Sequence, residues 1–255
     1  MQSDDNGKIK SIEKSFRILE CIVNEGHGGV NELARELNYS PSTVHAHLST
    51  LQNLGYLIVV DGEYAISNRF LQFAKHAQHR VERLDLIRAN VKRLAEETDE
   101  RVQFMIEEHG RGIYIEKEEG EYGAPNNTFL GKPRYLHMCA SGKAILANLP
   151  NERVVEIIDY WGLPAQTEHT ITDEETLFSE LETIREEGLA TNRGETVEGL
   201  IAVGAPILSV DERVIGSISI SGPAHRISAN GEIRELYRDK LISAVEDVTL
   251  NLKYP

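Results

Sequence analysis

The chain has 255 residues, 40% hydrophobic and 27% charged, with a formal net charge of −14, a length that allows two modest domains with a core in each. No apolar run approaches the ~20 residues of a membrane span and no signal peptide precedes the first element, so a cytoplasmic protein is expected. Cys21 and Cys139 lie far apart without CxxC spacing, which indicates neither a disulfide framework nor a zinc site.

The acidity is uneven: residues 1–73 carry −3, from six basic and nine acidic side chains, and the rest carry −11. Arginine outnumbers lysine 17 to 10. An acidic, lysine-poor composition suits a cytoplasm of high ionic strength, as in a salt-loving microbe such as a haloarchaeon. There counterion release contributes less to DNA affinity, and neutral hydroxyl and backbone N–H contacts carry relatively more.

Residues 1–7 read as a disordered lead-in. Lys8–Cys21 is predicted helical, with Ile12, Phe16, Leu19 and Ile22 on its apolar face. Lys8, Lys10, Lys14 and Arg17 form the most basic patch of the chain. Lys14 and Arg17 are candidates for phosphate contact, a solvated helix face being the alternative. His27, in the loop Gly26–Gly29, reads as an exposed loop residue.

Two short helices follow between Val30 and Leu51. Val30, Leu33, Ala34 and Leu37 make one apolar face; Asn38 and Tyr39 interrupt it. Ser40 offers a side-chain cap to a second helix, and Pro41 sits in its first turn, where a missing N–H costs nothing. Val44, Leu48 and Leu51 fall on the buried side of that helix. Ser42, Ala46, Ser49 and Asn53 fall opposite, flanked by Thr43, His45 and Thr50. This is the layout of a helix-turn-helix, although an ordinary pair of packed helices would share it. Two β-rich runs around Asp61-Gly62, between Gly55 and Ile66, then predict a hairpin, and the order helix, turn, helix, hairpin makes a winged helix. From Leu37 to Val60 there is no charged residue. An acidic protein that keeps carboxylates off one small surface points that surface at phosphates.

Ser67–Arg88 is a helix-favouring stretch, with Phe70, Phe73, Ala74, Ala77, Val81 and Leu84 at threes and fours. A linker helix over residues 69–88, packing on its copy in a homodimer, would set two recognition helices about one DNA turn apart. The remainder, residues 89–255, reads as an α+β domain with an antiparallel sheet. Its predicted elements are a helix over Leu86–Thr98 and a hairpin of Val102–Ile106 with Ile113–Ile115. A polar loop over Glu118–Arg134 and helices over Ala140–Leu149 and Asn151–Tyr160 come next. A helix opened by a Thr172/Glu175 capping box and reaching Glu187 precedes near-continuous apolar strands at Ala202–Leu208 and Val214–Ser221. A helix from about Glu232 to Leu252 closes the chain.

Four segments, in this order, carry a resemblance. They are Ser42-Thr43-Val44-His45; His137-Met138-Cys139-Ala140-Ser141-Gly142-Lys143-Ala144; Asn192-Arg193-Gly194-Glu195 with Gly199-Leu200 and Ala205-Pro206-Ile207; and Ser219-Ile220-Ser221-Gly222-Pro223. With them the chain resembles the IclR family of transcriptional regulators from about Ser11 to Lys253. The resemblance implies a winged-helix DNA-binding domain over residues 8–68 and a GAF-like effector-binding domain. It also implies dimers or tetramers, double-stranded DNA as partner, and a small organic acid or aromatic metabolite as effector. Family members usually carry a basic residue where Pro41 stands and an arginine where Ala46 stands. The DNA contacts it leaves are Ser40, Ser42, Thr43, His45, Ala46, Ser49 and Thr50. The implied effector pocket is lined by Leu130, Leu136, Ala140, Ser141, Asn192, Leu200 and Ala202.

Small residues opening a helix at Ser141-Gly142 would expose free N–H groups suited to a carboxylate, or would be small only for close packing. No catalytic residues are expected: Ser141 and Lys143 point ~200° apart on a helix, and His169, His225 and Asp173 have no triad spacing. No cofactor and no metal is expected either, His137 and Cys139 having no partner cluster. A sensor module that has lost specific DNA binding is the alternative to a regulator.

Overall fold

The computed structural model describes residues 7–26, 28–123 and 130–253, so His27 and most of the lead-in lie outside the described residues. The chain forms two compact units, Met1–Arg80 and Val81–Pro255.

In the first unit α1 spans Lys10–Glu25, α2 Val30–Glu36 and α3 Pro41–Asn53; strands β1 (Leu57–Val60) and β2 (Glu63–Ile66) and helix α4 (Phe70–Gln78) follow. Ile18, Leu19 and Ile22 of α1 pack with Leu33, Ala34, Val44, Leu48 and Leu57. Burial on α1 begins only at Ile18. Ile12 and Phe16, expected in the core, are instead 52% and 59% exposed, because the side of α1 that meets α3 carries Ser15, Ile18 and Ile22 and they point away from it. The wing is in register, Leu57 opposite Ile66 and Val60 opposite Glu63. Asp61 and Gly62 at its tip both take positive φ, 53° and 87°, as a tight hairpin turn requires.

The linker stretch is not one helix. It breaks over residues 79–83 into α4 and α5 (Leu84–Thr98), with Arg83 in the left-handed region at φ 54°. Its apolar stripe belongs to two cores: Phe70 and Phe73 stack on Tyr56 with ring centroids 5.3 and 5.9 Å away, whereas Val81 and Leu84 pack in the second unit. Arg83 also donates to the Asn251 carbonyl at 3.1 Å, which fixes the start of α5.

The second unit is built on six antiparallel strands: β3 (Arg101–Glu108), β4 (Arg111–Glu119), β5 (Pro133–Tyr135), β6 (Ala190–Arg193), β7 (Leu200–Leu208) and β8 (Val214–Pro223). Their spatial order is β5-β4-β3-β8-β7-β6. Helices α6 (Ala140–Ala147), α7 (Asn151–Trp161) and α8 (Glu174–Glu187) stand between β5 and β6 in sequence. After β8 come a single turn, α9 (Ala224–Ile227), the two-residue strands β9 (Ser228–Ala229) and β10 (Glu232–Ile233), and α10 (Glu235–Lys253). The last helix therefore starts three residues later than expected. Asp173, not Thr172, caps α8: its Oδ1 accepts from the Thr176 N–H at 2.8 Å.

Alternation along the strands sends the two faces of this sheet in different directions. Val102, Phe104, Val203, Ala205, Ile218 and Ile220 pack under α5 and α10. On the other face Met105 and Tyr114 join Leu136, Ile145, Leu177 and Leu181 of the α6–α8 layer. Two glycines permit this closeness. A Cβ on Gly142 would sit 2.1 Å from the Leu136 carbonyl oxygen, and one on Gly204 2.9 Å from the Ala140 carbonyl carbon.

Candidate DNA interface and effector site

Helix α3 is positioned by Val44 and Leu48, both fully buried, and by a tie to α1 in which Ser15 Oγ and His47 Nδ1 lie 2.8 Å apart. Ser40 takes an extended conformation and its Oγ accepts from the Thr43 N–H at 3.2 Å, as a helix cap should. Ser40 Oγ also lies 3.0 Å from Ser42 Oγ and 2.8 Å from Thr43 Oγ1, so three hydroxyls cluster at the amino end of α3. Ser42, His45, Ala46 and Thr50 are exposed; Thr43 and Ser49 are half-buried. Thr50 donates to the Ala46 carbonyl at 2.8 Å, which leaves its oxygen as an acceptor. The outward face of α3 is thus neutral and rich in hydroxyls, with His45 as its titratable group.

The expected phosphate contacts differ in kind. Arg17 is exposed but paired with Glu13 on its own helix at 3.0 Å. Lys14 is half-buried, its ammonium 5.3 Å from the centre of the Tyr39 ring.

In the second unit strand register gathers most of the expected effector residues. Asn192 of β6 lies opposite Ala202 of β7, and Leu200, Ala202 and Gly204 share one face of β7. Gly204 abuts the Ala140–Ser141 peptide, which places the start of α6 over that face. No side-chain oxygen caps α6, and the Gly142 N–H faces the Cys139 sulfur. Ser141 is fully buried, and its hydroxyl faces that of Tyr114. Leu136 is buried in the apolar layer, and Leu130 is exposed.

Residues that sequence reading passed over complete this face. Across the sheet Ala202 lies opposite Ser221 and Gly204 opposite Ser219; those serines lie opposite Arg101 and Gln103 of β3. Beyond them Glu119 and Lys117 of β4 continue the row. Arg101, Gln103 and Ser219 are all buried. Arg101 Nη2 reaches Glu119 at 3.3 Å, while Arg101 Nε and Gln103 Nε2 have no acceptor. The signal was present in sequence as period-two alternation, Arg-Val-Gln-Phe at 101–104 and Ser-Ile-Ser-Ile-Ser at 217–221.

The segment after β6 is held by a dense polar network. Lys143, 1% exposed on α6, donates to Glu180 at 2.9 Å and to Glu195 at 2.8 Å. Burial pushes the Glu195 carboxyl above the usual carboxylate range, with Lys143 opposing the shift. Asn192 donates to the Met138 carbonyl at 2.6 Å and accepts from the Glu195 N–H at 3.1 Å; Thr170 donates to the Glu195 carbonyl at 2.7 Å. With its ammonium given to two carboxylates, Lys143 is not a base for Ser141. Burial also raises the Tyr114 hydroxyl and the Cys139 thiol, keeping both protonated. Among the described residues no group of three or more His, Cys, Asp or Glu could hold a metal ion, and no helix is long and apolar enough to cross a membrane.

A winged helix joined to an α+β unit with one buried polar sheet face defines a ligand-responsive regulator class, and similarity to known proteins narrows it. Residues 11–59 match the IclR helix-turn-helix domain, and residues 76–250 match the C-terminal domain of bacterial transcriptional regulators of the IclR type. The chain belongs to the IclR family: DNA-binding transcriptional regulators with a C-terminal effector-binding domain. It is 29% identical over 224 residues to a probable HTH-type transcriptional regulator, ArcR, of Halobacterium salinarum, covering 86% of this chain and 85% of that protein. The crystal structure of the Thermotoga maritima IclR is 30% identical and matches 97% of this chain and 100% of its own at a TM-score of 0.79. An IclR homolog from Microbacterium hydrocarbonoxydans, crystallised with 4-hydroxybenzoate, shares the fold at 19% identity and a TM-score of 0.79 over 96% of this chain and 100% of its own.

Proposed function

We propose that this regulator reads its operator through the exposed face of α3 and is controlled by a small organic or sugar acid bound against the polar face of the β3–β8 sheet. The observation that carries the DNA half is the hydroxyl-lined, carboxylate-free face of a capped helix in an otherwise acidic chain. Ser42, Thr43, His45, Ser49 and Thr50 would contact base edges, with Ala46 allowing close approach; Ser40, Lys14 and Arg17 would contact the backbone. Residues 8–68 would be the DNA-binding domain, 69–88 the link and 89–255 the effector domain. An acidic, arginine-rich composition and a Halobacterium relative support a salt-rich cytoplasm as its setting. The 4-hydroxybenzoate bound by the Microbacterium homolog is an organic acid, which supports an acid as the effector.

The active form would be a homodimer, alone or paired into a tetramer. Ile9 before α1, Ile12, Phe16 and Val23 on α1, and Leu71 and Phe73 on α4 are all more than half exposed, which supports a second copy as cover. Ligand would shift the spacing of two recognition helices through residues 69–88, by no more than its differential affinity for the two arrangements, ~1–3 kcal/mol.

A second reading, a sensor without specific DNA binding, is favoured by one observation: α3 carries no lysine or arginine. A salt series with the native upstream duplex and a scrambled one separates the two. The regulator binds its own site more tightly, and Thr43→Ala lowers that affinity while leaving the dimer intact; equal, weak binding to both duplexes supports the sensor. Ser141→Trp should abolish the ligand response and spare DNA binding, and a normal response would remove that pocket.

A further inference from the structure

We infer that Arg101 and Gln103 clamp the carboxylate of the effector, and that the ligand is a hydroxylated monocarboxylate rather than a dicarboxylate or an uncharged polyol. This rests on the effector-site reading above and gives that site an orientation. Arg101 and Gln103 are successive same-face residues of β3, 1% and 4% exposed. A buried N–H without an acceptor is rare and costly, and here two occur side by side, Arg101 Nε and Gln103 Nε2. Both are donors, and what satisfies a guanidinium edge and a neighbouring amide together is a carboxylate. The acceptor on hand is already committed: Glu119 Oε1 serves Arg101 at 3.3 Å and Lys117 at 3.2 Å, one carboxylate against two cations.

The opposite end of the face has a different chemistry. From Gln103 the register runs through Ser219 to Gly204, beside Ser141, whose buried hydroxyl faces the Tyr114 hydroxyl. Two strand spacings make that about 9–10 Å between backbones, which, less the reach of the Gln103 and Ser141 side chains, suits a chain of roughly four to six carbons. Ser219 and Ser221 lie between, to meet hydroxyl groups. Glu195, hydrogen-bonded to Asn192 at the far edge, has a buried oxygen with no partner, Oε2, which disfavours a second carboxylate there. The acid group thus belongs at β3 rather than at the amino end of α6, where sequence reading placed it.

The test uses the full chain with threonate, arabinonate and gluconate, set against the corresponding alditols and glucarate, by thermal shift and titration calorimetry. At least one monocarboxylate should stabilise the protein while its alditol does not. For that acid Arg101→Met should weaken binding about 10- to 100-fold and Gln103→Leu about 10-fold, with Arg101→Lys retaining part of the affinity and Ser141→Ala costing only a few-fold. Trp161 emission checks that each variant is folded, and Gln103→Leu, uncharged and similar in shape, carries the test if Arg101→Met does not fold. Wild-type affinity in both variants, binding of alditol or glucarate in preference, or no shift with any of the acids would each overturn the clamp. Operator release by some other metabolite that is insensitive to these variants overturns the clamp and leaves the regulator reading; a chain that never prefers its upstream DNA fails the reading itself.

Discussion

Replacing Lys143 by methionine leaves the volume nearly unchanged and removes the cation that Glu195 and Glu180 share. Glu180 is a third exposed and can turn to water; Glu195, 8% exposed, cannot. Glu195 must then stay charged without a partner or take a proton. Taking the proton sets a ceiling on the cost: from an ordinary carboxylate pKa near 4.5, neutralisation costs about 3 kcal/mol at pH 7 and about 1 kcal/mol at pH 5. The sign follows from the direction of the shift. A carboxyl held above its unfolded pKa binds its proton more readily in the folded state, so its contribution is present at low pH and is lost as pH rises through the raised value. Urea unfolding followed by Trp161, the single tryptophan and part of the second unit, measures this directly. Lys143→Met should lose about 3 kcal/mol at pH 7 and much less at pH 5, and Lys143→Met/Glu195→Gln should recover most of the loss. A loss below 1 kcal/mol at pH 7, or an equal loss at both pH values, would refute the reasoning.

Three further outcomes are expected. Ser40→Ala removes the cap of α3 and should cost about 1 kcal/mol, read as faster amide exchange at residues 42–44. Gly142→Ala would force a Cβ to 2.1 Å from the Leu136 carbonyl oxygen; the clash is with backbone, so the second unit should fail to fold or lose more than about 3 kcal/mol in urea midpoints. Burial holds the His137 imidazole below the usual histidine range, while its Nε2 lies 3.2 Å from the Pro164 carbonyl. Its unfolded form takes the proton first, so stability should fall as pH drops below about 6.5; His137→Gln should flatten that slope between pH 7 and pH 5.5.

The winged helix was legible because its signals are local. A serine cap, a proline in the first turn, apolar residues at threes and fours and an Asp-Gly hairpin each act within a few residues, and each appears where expected. The linker was misread for a reason of the same kind inverted: its apolar stripe has an unbroken helical period, but Phe70 and Val81 pack in different cores, a fact no local period contains. In the same way Ile12 and Phe16 continue the apolar period of α1 yet lie off the side of the helix that α3 covers. Of the expected effector residues, the start of α6, Asn192 and Ala202 come together through register and through Gly204, while Leu130 is exposed. Arg101 and Gln103 were overlooked because a charged residue in a strand reads as solvated unless the opposite face and the layer above it are known. The alternating serines of β8 were the available hint, lost when that strand was read as near-continuously apolar.

The claim on which everything else depends is that a neutral helix face does the reading. A crystal structure of the protein on a duplex from its own upstream region tests it most directly. α3 should lie in the major groove with Ser42, Thr43, His45 and Ser49 against base edges; α3 turned away from the duplex, or DNA held only through α1 and the wing, would contradict it.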